Sequence, residues 1–178
     1  MKLIEKELTE EKIFKGRLLD VRKYTVELPD GKHTTRELVV HPGAVAILPI
    51  EDENVYLVEQ HRFPIRKNLI EIPAGKFDTP NEDPLECGKR ELEEEIGKKA
   101  DEWIYLGYIY TTPGFSNEII HLYMAKNLKD GTMNTDDDEF INVKKLKINE
   151  FEEQIKDGTI TDAKTITAYT RAKLMGGI

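Results

Sequence analysis

Apolar and polar positions alternate through roughly residues 10–40, most regularly along 18–28, and a period of two predicts extended strand. Pro29, Asp30, Gly31 and Lys32 carry turn chemistry, so 34–40 is expected to return as the second strand of a hairpin. Two apolar runs follow, 44–50 and 55–60, joined by the acidic stretch Glu51, Asp52, Glu53 and Asn54, and they predict central strands. A shorter strand over 69–75 leads into a helix over 84–97, opened by Pro84 and closed by Gly97. Strands are then expected over 103–111 and 119–124 around the turn at 113–116, with another over 140–146. Helices are expected over 148–156 and 162–175, the second amphipathic through Ala163, Ile166, Tyr169 and Leu174. Strands outnumber helices and do not alternate with them, which predicts an α+β sheet sandwiched by helices.

The helix over 84–97 divides its chemistry between two faces. Leu85, Leu92 and Ile96, with small Gly88 between them, suit docking against a core. Glu91 stands at i to Glu94 (i+3) and Glu95 (i+4), so three carboxylates share the other face. Like charges so placed repel unless a hard divalent cation sits among them. A solvated acidic face fits the same run, and the glutamates alone do not choose between the two.

With 178 residues, 39% hydrophobic and 34% charged, the chain fits one domain with a sizeable core and no second catalytic domain. A formal charge of −8 argues against general affinity for nucleic acid or an anionic membrane, so an anionic substrate would need metal or local arginine. The one cysteine, Cys87, excludes an intrachain disulfide and reads as a small buried residue. The four histidines show no zinc-type spacing. Neither a signal-peptide pattern nor a transmembrane-length apolar run is evident, so a cytoplasmic protein is expected. No Gly-rich dinucleotide fingerprint, Walker loop or internal repeat is found.

The residues around the acidic helix resemble the signature of the Nudix hydrolases, G-x5-E-x7-R-E-U-x-E-E-x-G-U, where U is bulky and apolar. From Glu82, seven residues lead to Arg90-Glu91-Leu92; Glu94-Glu95 follow after one residue and Gly97 after one more. Two positions depart from the pattern: six residues, not five, separate Gly75 from Glu82, and Lys98 replaces the closing apolar residue. The extra residue falls within 78–81 and bears on where Glu82 points. The resemblance implies an α+β Nudix fold, a mixed β-sheet sandwiched between α-helices with an N-terminal antiparallel β-hairpin extension. It implies an extension over residues 1–42 that serves dimerisation and a hydrolase domain over 43–178. It also implies a divalent ion, Mg2+ or Mn2+, with Glu91 and Glu95 as ligands, the Ala74 carbonyl as another, Glu94 as a ligand or water holder, and Arg90 orienting the carboxylates.

More of the chain is similar to the ADP-ribose pyrophosphatase branch of that family. Gln60-His61-Arg62 matches a Gln-x-Arg element whose arginine approaches substrate phosphate, which suits guanidinium geometry. Pro113, within Thr112-Pro113-Gly114-Phe115-Ser116-Asn117-Glu118, matches a proline beyond the helix, and Arg36-Glu37 before His41-Pro42-Gly43 resembles residues that reach the ADP half. Arg36, Glu37, Arg62, Pro113 and Glu118 are therefore expected at the substrate. That branch carries a catalytic glutamate just before the strand matching 140–143, so the resemblance implies Glu139 as general base, in a loop that also reads as plain solvated acid.

The expected function is metal-dependent hydrolysis of ADP-ribose, a small-molecule nucleoside diphosphate sugar, to AMP and ribose 5-phosphate by a homodimer. The alternatives are another nucleoside diphosphate sugar or a dinucleotide such as NADH, a non-catalytic Nudix-like module that binds ADP-ribose, and, more weakly supported, cleansing of damaged nucleoside triphosphates.

Overall fold

A computed structural model describes residues 3–79, 81–135 and 139–178 of the chain. They form two compact units, Met1–Gly43 with Tyr110–Ile119, and Ala44–Ile109 with Ile120–Ile178.

The first unit is an antiparallel sheet of β1 (Lys6–Lys15), β2 (Asp20–Glu27) and β3 (His33–Val40), in that spatial order. The β2–β3 hairpin closes where the Gly31 amide donates to the Leu28 carbonyl at 2.9 Å, with Gly31 at φ +83°, a conformation that glycine adopts without strain. The alternation over roughly 10–40 predicts this hairpin and overlaps the second half of β1, but does not mark β1 as a separate strand; all ten of its residues are exposed. A strand that buries neither face has no reason to alternate apolar and polar residues. Arg22 ties β1 to β2, donating to Glu10 and to both Asp20 oxygens, each at 3.0 Å. The 110–119 segment joins this unit through the Val39 amide, which donates to the Phe115 carbonyl at 2.7 Å.

The second unit holds β4 (Ala44–Glu51), β5 (Asn54–Arg62), β6 (Lys67–Glu71), β7 (Ala74–Lys76), α1 (Pro84–Ile96), β8 (Lys98–Tyr110), β9 (Ile119–Asp130), β10 (Ile141–Lys147), α2 (Ile148–Lys156) and α3 (Ala163–Leu174). Its sheet runs β10-β5-β4-β9-β8, with β6 on β5 and β7 on β4. β4 is parallel to β9 and antiparallel to β5 and β7, which makes the sheet mixed. β4 is apolar at nearly every position because both its faces are covered. Val45 and Ile47 pack with Cys87, Leu92 and Ile96 of α1, while Ala44, Ala46, Leu48 and Ile50 pack with Phe151 of α2 and Ala168, Tyr169 and Ala172 of α3. Each fully buried Leu or Ile there contributes about 1.5–3 kcal/mol.

β4 and β5 pair only at their turn, Ile50 with Val55 and Glu51 with Asn54. They then part, β4 to β7 and β9, β5 to β6 and β10. α1 touches β4 and β7 as well as β5 and β10. Its ends follow the sequence: the Asp83 carboxylate accepts from the Leu85 and Glu86 amides, Pro84 occupies the first turn, and Gly97 closes the helix at φ +63°. β8 starts at Lys98 rather than 103 and β9 runs to Asp130 rather than 124; the added ends are rich in charge and break the apolar pattern, although Ala100, Ala125 and Leu128 within them pack on the core. Among the described residues no helix is long and apolar enough to cross a membrane.

Candidate metal-binding and catalytic site

The acidic face of α1 is not a solvated one. Glu95 is only 4% exposed, and its Oε2 accepts the Ala74 amide at 3.0 Å, which ties the last full turn of α1 to β7. One turn earlier the Glu91 carboxylate lies against Gly75, leaving no room there for a side chain. Burial first, then the charges of Glu139 and Glu91, push Glu95 up to about 8, against the pull of the Ala74 amide and Lys164. Burial likewise pushes Glu91 up to about 7, opposed by Arg90 and reinforced by Glu94 and Glu139. Glu139, just before β10, thus stands within electrostatic reach of both, with its Oε1 accepting from Gln60 Nε2 of β5 at 3.1 Å.

Arg90 sits among four carboxylates. Its Nη1 donates to Glu91 Oε1 at 2.7 Å and Glu94 Oε2 at 2.9 Å, its Nη2 lies 3.5 Å from Glu82 Oε1, and its Nε lies 3.4 Å from Asp78 Oδ2. Glu82 also accepts the Asp78 amide at 2.7 Å, so its carboxylate bridges Asp78 and Arg90. Of that loop, residue 80 lies outside the described residues, as do 136–138 of the acidic loop before Glu139.

Arg62 ends β5. Its Nε and Nη2 donate to the two oxygens of Glu71 at 2.7 and 2.8 Å, and Lys164 of α3 also donates to Glu71. Burial would raise the Glu71 carboxyl, but Arg62 and Lys164 together outweigh it and hold the group below the ordinary range. Sequence reasoning passed over Glu71 and Lys164. A lone glutamate in the apolar stretch Leu69-Ile70-Glu71-Ile72 was the available signal, since a charge so placed needs a partner. Cys87 is buried against the Lys76 carbonyl with its thiol pushed up to about 12 by burial, which suits packing and not nucleophilic attack.

Four further residues singled out from the sequence belong to the first unit. Arg36 pairs through Nε and Nη2 with Glu5, at 3.0 and 2.5 Å. Glu37 is exposed on β3, paired in register with Lys23. Pro113 is exposed in the turn where the Phe115 and Ser116 amides donate to the Thr112 carbonyl. Glu118 accepts from the Thr111 hydroxyl at 2.5 Å and lies 3.3 Å from His41 Nε2.

The donors that α1 and β7 bring to the acidic site, the carboxylates of Glu91, Glu94 and Glu95 and the Ala74 carbonyl, are all oxygen, as a hard divalent ion prefers. Among the described residues no three acidic, histidine or cysteine side chains converge to hold an ion as they stand. Glu91 and Glu94 are turned to Arg90 and Glu95 to the Ala74 amide, so an ion would bind by exchanging those partners. The donors fit in kind: a dication between Glu91 and Glu95 would remove the repulsion that helps raise both carboxyls.

Comparison with known proteins bears on this site. The family model described as NUDIX domain matches residues 40–169. A methanol dehydrogenase activator of Bacillus methanolicus is 44% identical over 96% of this chain and 93% of its own length. An ADP-ribose pyrophosphatase of Bacillus subtilis (strain 168) is 39% identical over 97% and 94%. A solved structure described as an ADP compounds hydrolase superposes with a TM-score of 0.86 over 96% of this chain and 93% of that one, at 21% identity, a likeness of fold. With the acidic helix, the mixed sheet and relatives that match from end to end, the chain belongs to the Nudix family and is a Nudix pyrophosphohydrolase.

Proposed function

We propose that the protein hydrolyses the diphosphate linkage of ADP-ribose to AMP and ribose 5-phosphate with Mg2+ or Mn2+. The observation that carries this reading is the half-buried Glu91 and the buried Glu95 within electrostatic reach of Glu139, an excess of negative charge under low solvation. Glu91, Glu94, Glu95 and the Ala74 carbonyl would hold the ion, which shields the diphosphate charge and acidifies water. Arg90 keeps Glu91 and Glu94 aligned. Glu139, steadied by Gln60, takes the proton from the attacking water, and Arg62 faces the phosphates.

ADP-ribose as substrate is supported by relatives named ADP-ribose pyrophosphatase, the Bacillus subtilis protein and one from Mycobacterium tuberculosis at 38% identity over 69% of this chain. A GDP-mannose pyrophosphatase of Yersinia enterocolitica, 34% identical over 88%, supports a second reading in which the base or sugar differs. A homodimer is supported by β1, whose Leu8, Ile13 and Phe14 are exposed together with the preceding Leu3 and Ile4.

The test is AMP release from ADP-ribose with Mg2+ and with chelator, beside ADP-glucose, NADH and GDP-mannose. Metal-dependent turnover led by ADP-ribose supports the reading. Turnover led by another compound overturns the substrate and keeps the chemistry. Binding of ADP-ribose without turnover moves the protein to a binding module.

A further inference from the structure

A second charged cluster lies beside the acidic site, and of its members only Arg62 has a part in the chemistry above. Glu71, 1% exposed, divides its carboxylate between two cations from distant parts of the chain, Arg62 of β5 and Lys164 of α3. The Lys164 side chain is 11% exposed and also donates to Asp162 Oδ1 at 3.1 Å. Asp162 caps α3, accepting the Thr165 amide at 2.9 Å and its hydroxyl at 2.6 Å, and that hydroxyl in turn accepts the Ile72 amide at 2.9 Å. The first turn of α3 therefore grips the sheet at two consecutive residues, Glu71 and Ile72.

Two parallel hydrogen bonds to one carboxylate fix the plane of a guanidinium. With Nε and Nη2 of Arg62 committed to Glu71, the Nη1 edge faces the other way, and the Arg62 side chain remains 41% exposed. Its charge and that of Glu95 act on each other, so Arg62 stands within electrostatic reach of the acidic site. The orientation of Arg62 is only as fixed as that of Glu71, and Lys164 is the second group that holds the Glu71 carboxylate in place. Charge works the same way: Arg62, Glu71, Lys164 and Asp162 sum to zero, and loss of the lysine leaves −1 where a diphosphate must bind.

We propose that Lys164 is a positioning residue for Arg62: through the shared Glu71 carboxylate it holds the guanidinium so that its remaining N–H groups meet the substrate diphosphate. This rests on the diphosphate reading above. Lys164 itself touches neither substrate nor ion.

The test is a double-mutant cycle of Lys164→Met and Arg62→Ala. Each single variant is expected to raise KM for ADP-ribose about tenfold with kcat within about twofold, the mark of lost uniform binding. If Lys164 acts through Arg62, the double variant is no worse than Arg62→Ala alone, whereas independent roles multiply to about a hundredfold. Multiplied losses, or an unchanged KM in folded Lys164→Met, overturn the proposal. Should Lys164→Met fail to fold, Lys164→Gln, which keeps a donor, carries the same cycle. Calorimetric binding of ADP in chelator repeats the cycle without turnover. A wild type that leaves ADP-ribose intact yet shows the cycle in ADP binding overturns the reaction and keeps the positioning role; additive losses in ADP binding overturn that role.

Discussion

Glu91 packs directly on the backbone of Gly75: a Cβ at residue 75 would stand 1.9 Å from Glu91 Oε1. Gly75 is paired with Val45 inside β7, and its φ is not in the left-handed region, so space and not backbone freedom calls for glycine. The missing side chain lets the acidic face of α1 approach the strand that carries Ala74.

Gly75→Ala must therefore displace the Glu91 carboxylate. The expected loss is about 10²-fold in kcat/KM, the scale set by moving a catalytic group about 1 Å. AMP release beside a thermal melt checks it, because the melt shows whether the fold survived.

The acidic pair also makes the metal-free protein sensitive to pH. Both folded values, about 7 for Glu91 and about 8 for Glu95, lie above the ordinary 4.5, so the folded state binds more protons across that interval. The stabilisation is complete below about pH 4.5 and is lost as pH rises through about 7 and then about 8, by at most about 1.4 kcal/mol per pH unit per group. Melting in chelator is expected at lower temperature near pH 8 than near pH 5, less so for Glu95→Gln, and Mg2+ should stabilise most at the alkaline end. A wild-type melting temperature that climbs over this range contradicts the account.

Glu139→Gln keeps the hydrogen-bonding shape but cannot take a proton. The expected fall in kcat is about 10²–10⁴-fold with KM little changed. Calorimetry of Mg2+ binding checks that the acidic site survives; an unaltered kcat would move the base elsewhere.

Thr165→Val removes a hydroxyl of nearly equal volume from a fully buried position. The Ile72 amide loses its acceptor and Asp162 loses one donor. The expected cost is about 1–3 kcal/mol, read as a lower denaturation midpoint with unchanged slope.

Much of this arrangement was legible from local pattern. Pro84 and Gly97 bound α1 because capping depends on a few neighbouring residues, and the spacing of Glu91, Glu94 and Glu95 sets one face by helical period alone. The unbroken apolar run of β4 predicted a central strand, and β4 lies inside the sheet with both faces packed. The alternation over roughly 10–40 did not separate β1 from β2, since β1 buries neither face, and the ends of β8 and β9 were missed because Ala100, Ala125 and Leu128 stand among charged residues that break the period.

The sequence by itself determined most of the elements, the order of donors on α1 and the family resemblance, since periodicity, capping and motif spacing are properties of residues close along the chain. Tertiary structure alone decided that Glu95 is buried, that Arg90 stands among Asp78, Glu82, Glu91 and Glu94, and that Glu139 meets Gln60 across the strand pair. It alone decided that Lys164 reaches Glu71 from 93 residues away. The physical reason is that a carboxylate's solvation and its charged neighbours depend on which distant segments exclude water from it, and no local spacing encodes that.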